Sequence, residues 1–312
     1  MKLGVIGNIT FDFNVGRKGF IREDRRNSFV DSTISPGGPA SNAAYLLSHY
    51  GNYVDLYGEI GNDAFGDFVY KQMEKENVNI KHISINEEKA TPFSFIINNE
   101  IDKTRTICTV RDPKDYKEAT IKNINYEKDY DYILTDGKYY EESIRLIESN
   151  PSAISIIDAG RVSSEMLMLC NFADIIICST AFANEIVERD IGDNEEENIA
   201  IYKDLKSYFP FADKLVITIG SKGYICEKDG EILIMPAHQP GKEVIDTTGA
   251  GDIFHGAFTH ALANNYSFHE SLEFANITAS LSTTKKGGRY SITELYEVEE
   301  IMKNKPKTLR KK

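Results

Sequence analysis

Short apolar runs alternate with helical patterns along most of the chain. In the first half, Lys2–Gly7 and Tyr53–Tyr57 have the composition of buried strands, and helical patterns cover Pro39–Tyr50 and Asp63–Asn77. After residue 130, strands are predicted at Tyr132–Leu134, Ile154–Asp158, Asp174–Cys178 and Lys214–Ile219, and helices at Glu141–Glu148 and Asn198–Phe209. This alternation predicts an α/β fold with a doubly wound, mostly parallel central sheet flanked by helices.

Two stretches depart from this alternation. Residues 13–35 are charged and then β-prone, and the apolar runs Phe93–Ile97 and Arg105–Val110 are joined by a polar turn, which is typical of a hairpin. We expect them to form a small β-sheet lid, built from about residues 13–35 and 93–110, within a single domain of residues 1–312. The remaining pattern predicts a second hairpin at Tyr224–Met235 and helices at Gly249–Asn264, Phe268–Thr284 and Ile292–Asn304.

Composition and charge narrow the classes of partner. The net charge is −12, and an acidic protein repels nucleic-acid phosphates and anionic membranes, so we expect neither as a partner. The chain has no secretory signal and no run of about 18 apolar residues, and its cysteines form no CxxC pair. These features predict a cytoplasmic protein without a disulfide framework or zinc site. The basic residues from Lys303 to Lys312 are interpreted as a solvated terminus.

The most informative segment is Asp246-Thr247-Thr248-Gly249-Ala250-Gly251-Asp252, which follows an extended stretch and opens a predicted helix. Its small residues let the backbone approach a ligand, and the free N–H groups and dipole of a helix N-terminus favour an anion. An aspartate inside such a site suits phosphoryl transfer, because the N–H groups stabilise developing charge while the carboxylate accepts a proton from the attacking hydroxyl. Alone, a GxGD segment would more often be a helix start whose aspartate complements the dipole.

Four segments in order resemble the signatures of the ribokinase-like (PfkB) carbohydrate kinases. The segment ending at Asp252 is similar to the second family signature, and Gly58–Gly66 is similar to the first, GxxGxDxxG. Pro36–Ala44 resembles the family's glycine pair and the helix after it, and Gly7–Asp12 resembles its opening strand. The resemblance covers roughly residues 3–290. It implies an ATP-dependent kinase that phosphorylates a hydroxyl of a sugar or sugar-like small molecule.

The resemblance also implies roles for individual residues. Asp252 would be the catalytic base, with an anion hole formed by Gly249, Ala250 and Gly251. The sugar would be bound by Asp12, Gly37, Gly38 and Asn42, and the nucleotide by Thr218, Gly220, Ser221, Gly223 and Asn276. Magnesium would arrive with ATP, and a monovalent cation such as potassium would be held by Asp246, Thr248, Ser282, Gly287 and Ser291. Lids of this family often pair between subunits, so a homodimer is also implied.

The chain departs from the family after the strand Asp174–Cys178, where an NxxE pattern is common. Ser179–Phe182 lacks both the amide and the acid, and Glu185 is a candidate substitute. Two other interpretations stay open. His255 either tunes the site or, with more support, packs against the sheet. Arg105 and Arg111 either meet an anionic substrate or the phosphates, or face solvent.

Several functions compete with a sugar kinase. A nucleoside kinase or a sugar-phosphate kinase could share the fold, and the latter would need a basic pocket opposite Asp252. A nicotinamide-dependent dehydrogenase, suggested by Gly4–Gly7, is poorly supported because the loop is not GxGxxG. No GxxxxGK[ST] segment supports a P-loop. A non-catalytic sugar-binding regulator is the last alternative, and the intact GAGD segment argues against it.

Overall fold

The strands form two separate sheets in a computed structural model that describes residues 1–304 apart from 103, 111–120, 123 and 127. In chain order the strands are β1 (Lys2–Ile6), β2 (Thr10–Arg17), β3 (Asp31–Gly37), β4 (Tyr53–Gly61), β5 (Ile83–Asn86), β6 (Phe93–Asn99), β7 (Thr104–Val110), β8 (Tyr132–Thr135), β9 (Ile154–Ala159), β10 (Ile175–Ser179), β11 (Lys214–Thr218), β12 (Tyr224–Lys228) and β13 (Glu231–Met235).

The main sheet has the order β13-β12-β11-β10-β9-β8-β1-β4-β5. In this order every pair of neighbours from β11 to β5 is parallel, whereas β12 pairs antiparallel with β11 and β13 pairs antiparallel with β12. From β1 the chain proceeds to β4 on one side and later returns to β8 on the other, so the winding direction reverses beside β1. In open α/β sheets, ligands bind in the crevice that such a reversal leaves at the carboxyl ends of the strands. The topology therefore predicts a site beyond the ends of β1 and β8.

Helices cover both faces of the main sheet. They are α1 (Pro39–His49), α2 (Ala64–Met73), α3 (Tyr140–Glu148), α4 (Ser164–Cys170), α5 (Thr180–Val187), α6 (Glu195–Tyr208), α7 (Ala250–Ala263), α8 (Phe268–Ser282) and α9 (Leu295–Asn304). Along β10, Ile175 and Ile177 pack towards α1, α7 and α8, whereas Ile176 and Cys178 pack towards α4, α5 and α6. Successive strand residues point to opposite faces, so a strand covered on both sides needs an unbroken apolar run.

The second sheet, with the order β3-β2-β6-β7, is separate from the main one. Alternation along β2 places Asp12 and Asn14 on one face and Phe11, Phe13 and Val15 on the other. The strands of this sheet lie mainly within the predicted lid segments, residues 13–35 and 93–110. The first strand begins earlier than predicted, at Thr10, so Asp12 lies on a strand.

The doubly wound, mostly parallel sheet predicted from the sequence is confirmed. The pattern did not identify β5, α4 and α5, each of which has eight residues or fewer and so carries little periodicity. Within the described part of the chain, no helix has both the length and the apolar character that crossing a membrane requires.

Candidate active site

The side chain of Asp252 meets that of Asn42 where α7 packs on α1. The Nδ2 atom of Asn42 donates a hydrogen bond of 2.7 Å to Oδ2 of Asp252. The helices approach closely at Gly256, where an added Cβ would lie 3.1 Å from the backbone of Ala43. Small residues at this crossing therefore bring together two side chains that are 210 positions apart in sequence.

The carboxylate of Asp252 has an unusually high proton affinity. Burial raises the pKa of Asp252 to about 7, the nearby charge of Asp158 acts in the same direction, and Asn42 and His255 oppose both. A carboxylate with a pKa near neutrality is suited to accept a proton from a hydroxyl.

Backbone amides at the start of α7 form the rest of this centre. Gly249 caps the helix with a φ of 74°, a left-handed conformation that favours glycine. The amides of Gly249 and Gly251 donate to no acceptor among the described residues, whereas the amide of Ala250 makes a 3.3 Å bond to the carbonyl of Thr247. Two of the three predicted anion-hole amides are thus available to a ligand, and that of Ala250 is partly engaged.

The predicted sugar-binding residues lie against one another. An added Cβ on Gly37 would lie 2.0 Å from a carboxylate oxygen of Asp12. Gly38 has a φ of 92°, and a Cβ there would lie 2.4 Å from the carbonyl oxygen of Asn8. Thr10 donates a 2.7 Å hydrogen bond to Asp12, and burial raises the pKa of Asp12. A side chain at Gly37 would therefore displace the Asp12 carboxylate, and one at Gly38 would meet the backbone of Asn8.

Two more carboxylates, those of Asp136 and Asp158, lie at the ends of β8 and β9. The carboxylate of Asp136 accepts hydrogen bonds from the backbone amides of Asn8 (2.7 Å) and Lys138 (3.1 Å), and burial raises the pKa of Asp136 to about 6. Burial also raises the pKa of Asp158, which His255 opposes. The sequence analysis did not assign either residue a role, although each is an acid at the carboxyl end of an apolar strand.

The predicted nucleotide residues lie at the end of β11 and on α8. Gly223 has a φ of 110°, and a Cβ there would lie 1.9 Å from the carbonyl oxygen of Met235, so this glycine is required by packing. Gly220 and Ser221 are exposed in a short 3-10 turn, and the hydroxyl of Thr218 donates to the carbonyl of Cys178 at 3.1 Å.

The side chain of Asn276 forms hydrogen bonds with the backbone of the segment after β13. Its amide donates to the carbonyl of Pro236 at 3.0 Å and accepts from the amide of His238 at 3.1 Å. Each polar group of this side chain makes one hydrogen bond within the protein, which leaves one N–H and one lone pair for another partner.

The residues predicted to hold a monovalent cation lie on or beside two adjoining loops, one before α7 and one after α8. The carboxylate of Asp246 accepts from the amides of Thr248 (2.9 Å) and Gly287 (3.0 Å) and so ties the loops together. The hydroxyls of Ser282 and Ser291 donate to nearby carbonyls. The hydroxyl of Thr248 is buried without a hydrogen-bond partner among the described residues. Carboxylate and hydroxyl oxygens, one of the hydroxyls unpaired, are ligands of the kind that a potassium ion takes.

In the stretch that replaces the NxxE pattern, the hydroxyls of the first two residues both donate hydrogen bonds to backbone carbonyls. Ser179 caps α5 and donates to the carbonyl of Gly160 at 3.0 Å, and Thr180 donates to the carbonyl of Thr218 at 3.0 Å. Glu185 is exposed on α5. The stretch Ser179–Phe182 therefore offers no carboxylate to magnesium-bound water.

Three polar contacts join the second sheet to these loops. Arg105 on β7 donates to the hydroxyl of Thr247 at 2.6 Å. Lys286 pairs with Asp31 at 2.6 Å and with Glu100 at 2.8 Å. A cavity of about 410 Å³ lies between the β6–β7 turn and the chain around Asp246. Arg111, the other predicted lid arginine, lies outside the described residues.

A buried arginine holds the N-terminus of α1. Arg289 is fully buried, pairs with Glu76 at 2.9 Å, and donates to the carbonyl and hydroxyl of Ser41, next to Asn42. Breaking a buried ion pair leaves an uncompensated charge, so this contact fixes the loop at residues 287–291 against α1. The sequence did not mark Arg289, because its partners lie more than 200 positions away.

Comparison with known proteins identifies relatives along the whole chain. The profile of the pfkB family carbohydrate kinases matches residues 2–295. A ribokinase of Lactococcus lactis is 26% identical over 315 residues, which cover 97% of both chains. A probable fructokinase-5 of Arabidopsis thaliana is 25% identical, over 92% of this chain and 95% of the relative. Among solved structures, Arabidopsis thaliana ribokinase in complex with ribose and ATP superimposes with a TM-score of 0.78 at 20% identity, covering 97% of this chain and 99% of that one.

Proposed function

This chain belongs to the pfkB family of carbohydrate kinases, and on that basis we propose that it transfers the γ-phosphoryl group of ATP to a hydroxyl of a sugar, with Asp252 as general base. The observation that carries the proposal is the partly buried Asp252 carboxylate, oriented by Asn42 at the start of a helix with free amides. The carboxylate would take the proton of the attacking hydroxyl while the amides of Gly249 and Gly251 stabilise charge on the transferring group.

The sugar would lie between the second sheet and the crevice beyond β1. Asp12 and Asn42 would bind its hydroxyls, since a carboxylate and an amide offer several acceptors and donors. The backbone of Gly37 and Gly38 would line the same pocket. The unpaired Oδ1 atom of Asn42 supports this role, because a buried carbonyl oxygen without a donor is costly. The second sheet would act as a lid that excludes water from the reaction.

The nucleotide would lie along the end of β11. Gly220, Ser221 and Gly223 would pass along its phosphates, Thr218 would lie beside them, and Asn276 would lie near the base. Magnesium would enter with ATP and neutralise charge on its phosphates. A potassium ion held by Asp246, Thr248, Ser282, Gly287 and Ser291 would stabilise the loop that carries the anion hole.

Both the ribose-and-ATP complex of the Arabidopsis ribokinase and the fructokinase relative support a sugar as acceptor.

The test is ADP release from MgATP, with potassium present, across pentoses, hexoses, ketoses, nucleosides and sugar phosphates. We expect turnover on one class and a fall in kcat of about 10²- to 10⁴-fold in Asp252→Asn, the usual contribution of a positioned base. ATP binding by calorimetry should survive in the variant. Unchanged turnover would remove Asp252 as the base, and silence of the wild type across the panel with ATP still bound would favour a non-catalytic sugar-binding regulator.

We also propose that the outer face of the second sheet pairs with a second copy of this chain. Phe13 lies opposite Ile34 and Phe95 in the register, and these residues share one apolar face. Ile34 is 43% exposed although it is apolar, and Val110 at the end of β7 is exposed as well. A symmetric contact would cover this face.

Light scattering would test the pairing directly. We expect a dimer for the wild type and a monomer for Ile34→Asp, because a charge in an apolar contact must be desolvated. An exposed residue elsewhere, Phe211→Asp, should leave the dimer intact. A monomeric wild type would contradict the proposal.

A further inference from the structure

His255 lies one turn after Asp252 on α7 and is surrounded by hydrogen-bond acceptors. The ring is 5% exposed. Its Nδ1 atom lies 2.7 Å from the carbonyl oxygen of Gly251, and its Nε2 atom lies 3.3 Å from the carbonyl oxygen of Ile177 and 3.4 Å from the carboxylate of Asp158. Carbonyl and carboxylate oxygens accept hydrogen bonds, so the geometry around this ring is that of a donor at both nitrogens. A histidine that donates from both nitrogens is an imidazolium cation.

The charges around this ring are mostly negative. Asp158 faces it from the end of β9, and Asp252 acts on it from its own helix. On β10 the neighbouring group is the Ile177 carbonyl. Beyond these, Asp12 on β2 interacts with Asp252, and Asp136 after β8 interacts with Asp158. The ring of His255 therefore lies among several partly buried carboxylates.

The contact with Gly251 also bears on the anion hole. The carbonyl of Gly251 and the amide of Asp252 belong to one planar trans peptide unit, so they point in opposite directions. A ring that holds the carbonyl at 2.7 Å on the sheet side directs the Asp252 amide towards the open end of the helix.

Building on the catalytic role proposed above for Asp252, we propose that His255 is a positioning residue whose positive charge keeps Asp252 ionised and whose ring orients the Gly251–Asp252 peptide. Asp158 has the opposite electrostatic effect, because its negative charge favours protonation of Asp252. The pair formed by His255 and Asp158 would thus set the pH range in which the base is active.

The pH profile of kcat/KM separates this role from a purely structural one. In His255→Asn, which keeps a donor near the Gly251 carbonyl but removes the charge, and in His255→Gln, we expect the acidic limb to move up by about one pH unit. The loss relative to wild type would then be about tenfold larger at pH 6 than at pH 9. In Asp158→Asn the acidic limb should move down. A structural role alone predicts the same proportional loss at every pH, so parallel profiles, or shifts in the same direction for both sites, would overturn the proposal.

A measurement that needs no turnover keeps the two proposals distinct. In ¹⁵N NMR of the histidine rings, assigned by the signal lost in whichever His255 variant folds, we expect both ring nitrogens of His255 to carry protons at pH 7. A neutral ring would overturn the inference even if the kinase activity is found. If the wild type phosphorylates no sugar, the proposed function fails, while the NMR result still decides the charge of His255.

Discussion

The main sheet and the second sheet bury their residues in different ways. In the main sheet, neighbouring strands such as β9 and β10 are covered by helices on both faces, and their apolar residues are almost completely buried. In the second sheet, every residue of β7 is exposed, and β2 presents a polar face towards the site and an apolar face away from it. The second sheet joins the main core through Phe11, which packs on Phe65 and Phe68, and through Phe93, which stacks on Phe65.

This difference separates a fixed scaffold from an element suited to move. A sheet covered on both faces cannot shift without exposing a large apolar area. The far end of the second sheet is held to the loops around Thr247 and Lys286 by the polar contacts of Arg105 and Lys286, and such exposed contacts are individually weak. The chemistry that needs exact geometry would therefore rest on the main sheet, while closure over the sugar would rest on the second.

The largest expected effect comes from matched isoleucine truncations in the two sheets. Ile156→Ala, at a fully buried position on β9, should lower the free energy of unfolding by about 2–5 kcal/mol. Ile34→Ala, at a half-exposed position on β3, should change it by less than about 1 kcal/mol. Urea denaturation of dilute protein measures both. Equal losses would mean that the second sheet is as firmly packed as the main one.

A smaller effect is expected from the contact that holds the second sheet down. Lys286→Met removes the ion pairs to Asp31 and Glu100, so we expect KM for the sugar to rise about three- to tenfold, with a nearly unchanged melting temperature. In the wild type, high salt should raise KM in the same direction, because it screens exposed charges.

The control for this prediction is Lys71→Met. Lys71 forms a more exposed ion pair with Asp67 on α2, away from the loops, and should leave KM unchanged. If Lys286→Met lowers the melting temperature and leaves KM alone, the contact stabilises the fold and has no part in closure.

Much of the candidate site follows from local sequence. The segment ending at Asp252 combines small residues with a helix start, and the structure has α7 begin there, with Gly249 as its cap. The pair Gly37 and Gly38 likewise precedes α1, and a side chain at either position would meet a close contact. Other parts depend on distant contacts. From the sequence alone, Asp158 had no assigned role, and for His255 a tuning role stayed open beside the better-supported packing against the sheet; only the structure brings the two side chains to 3.4 Å.

The sequence by itself determined the apolar runs of the main sheet, the helix starts and the turns that need glycine, because these depend on neighbours within a few residues. The tertiary structure decided which distant groups meet: Asn42 with Asp252, Arg289 with Ser41, and His255 with Asp158. It also decided the proton affinity of the Asp252 carboxylate. The pKa of Asp252 is raised by burial and by the charge of Asp158, and both depend on how helices and strands pack. A hydrophobic pattern specifies which face of an element is buried, whereas the partner of each polar group depends on the packed arrangement of the whole chain.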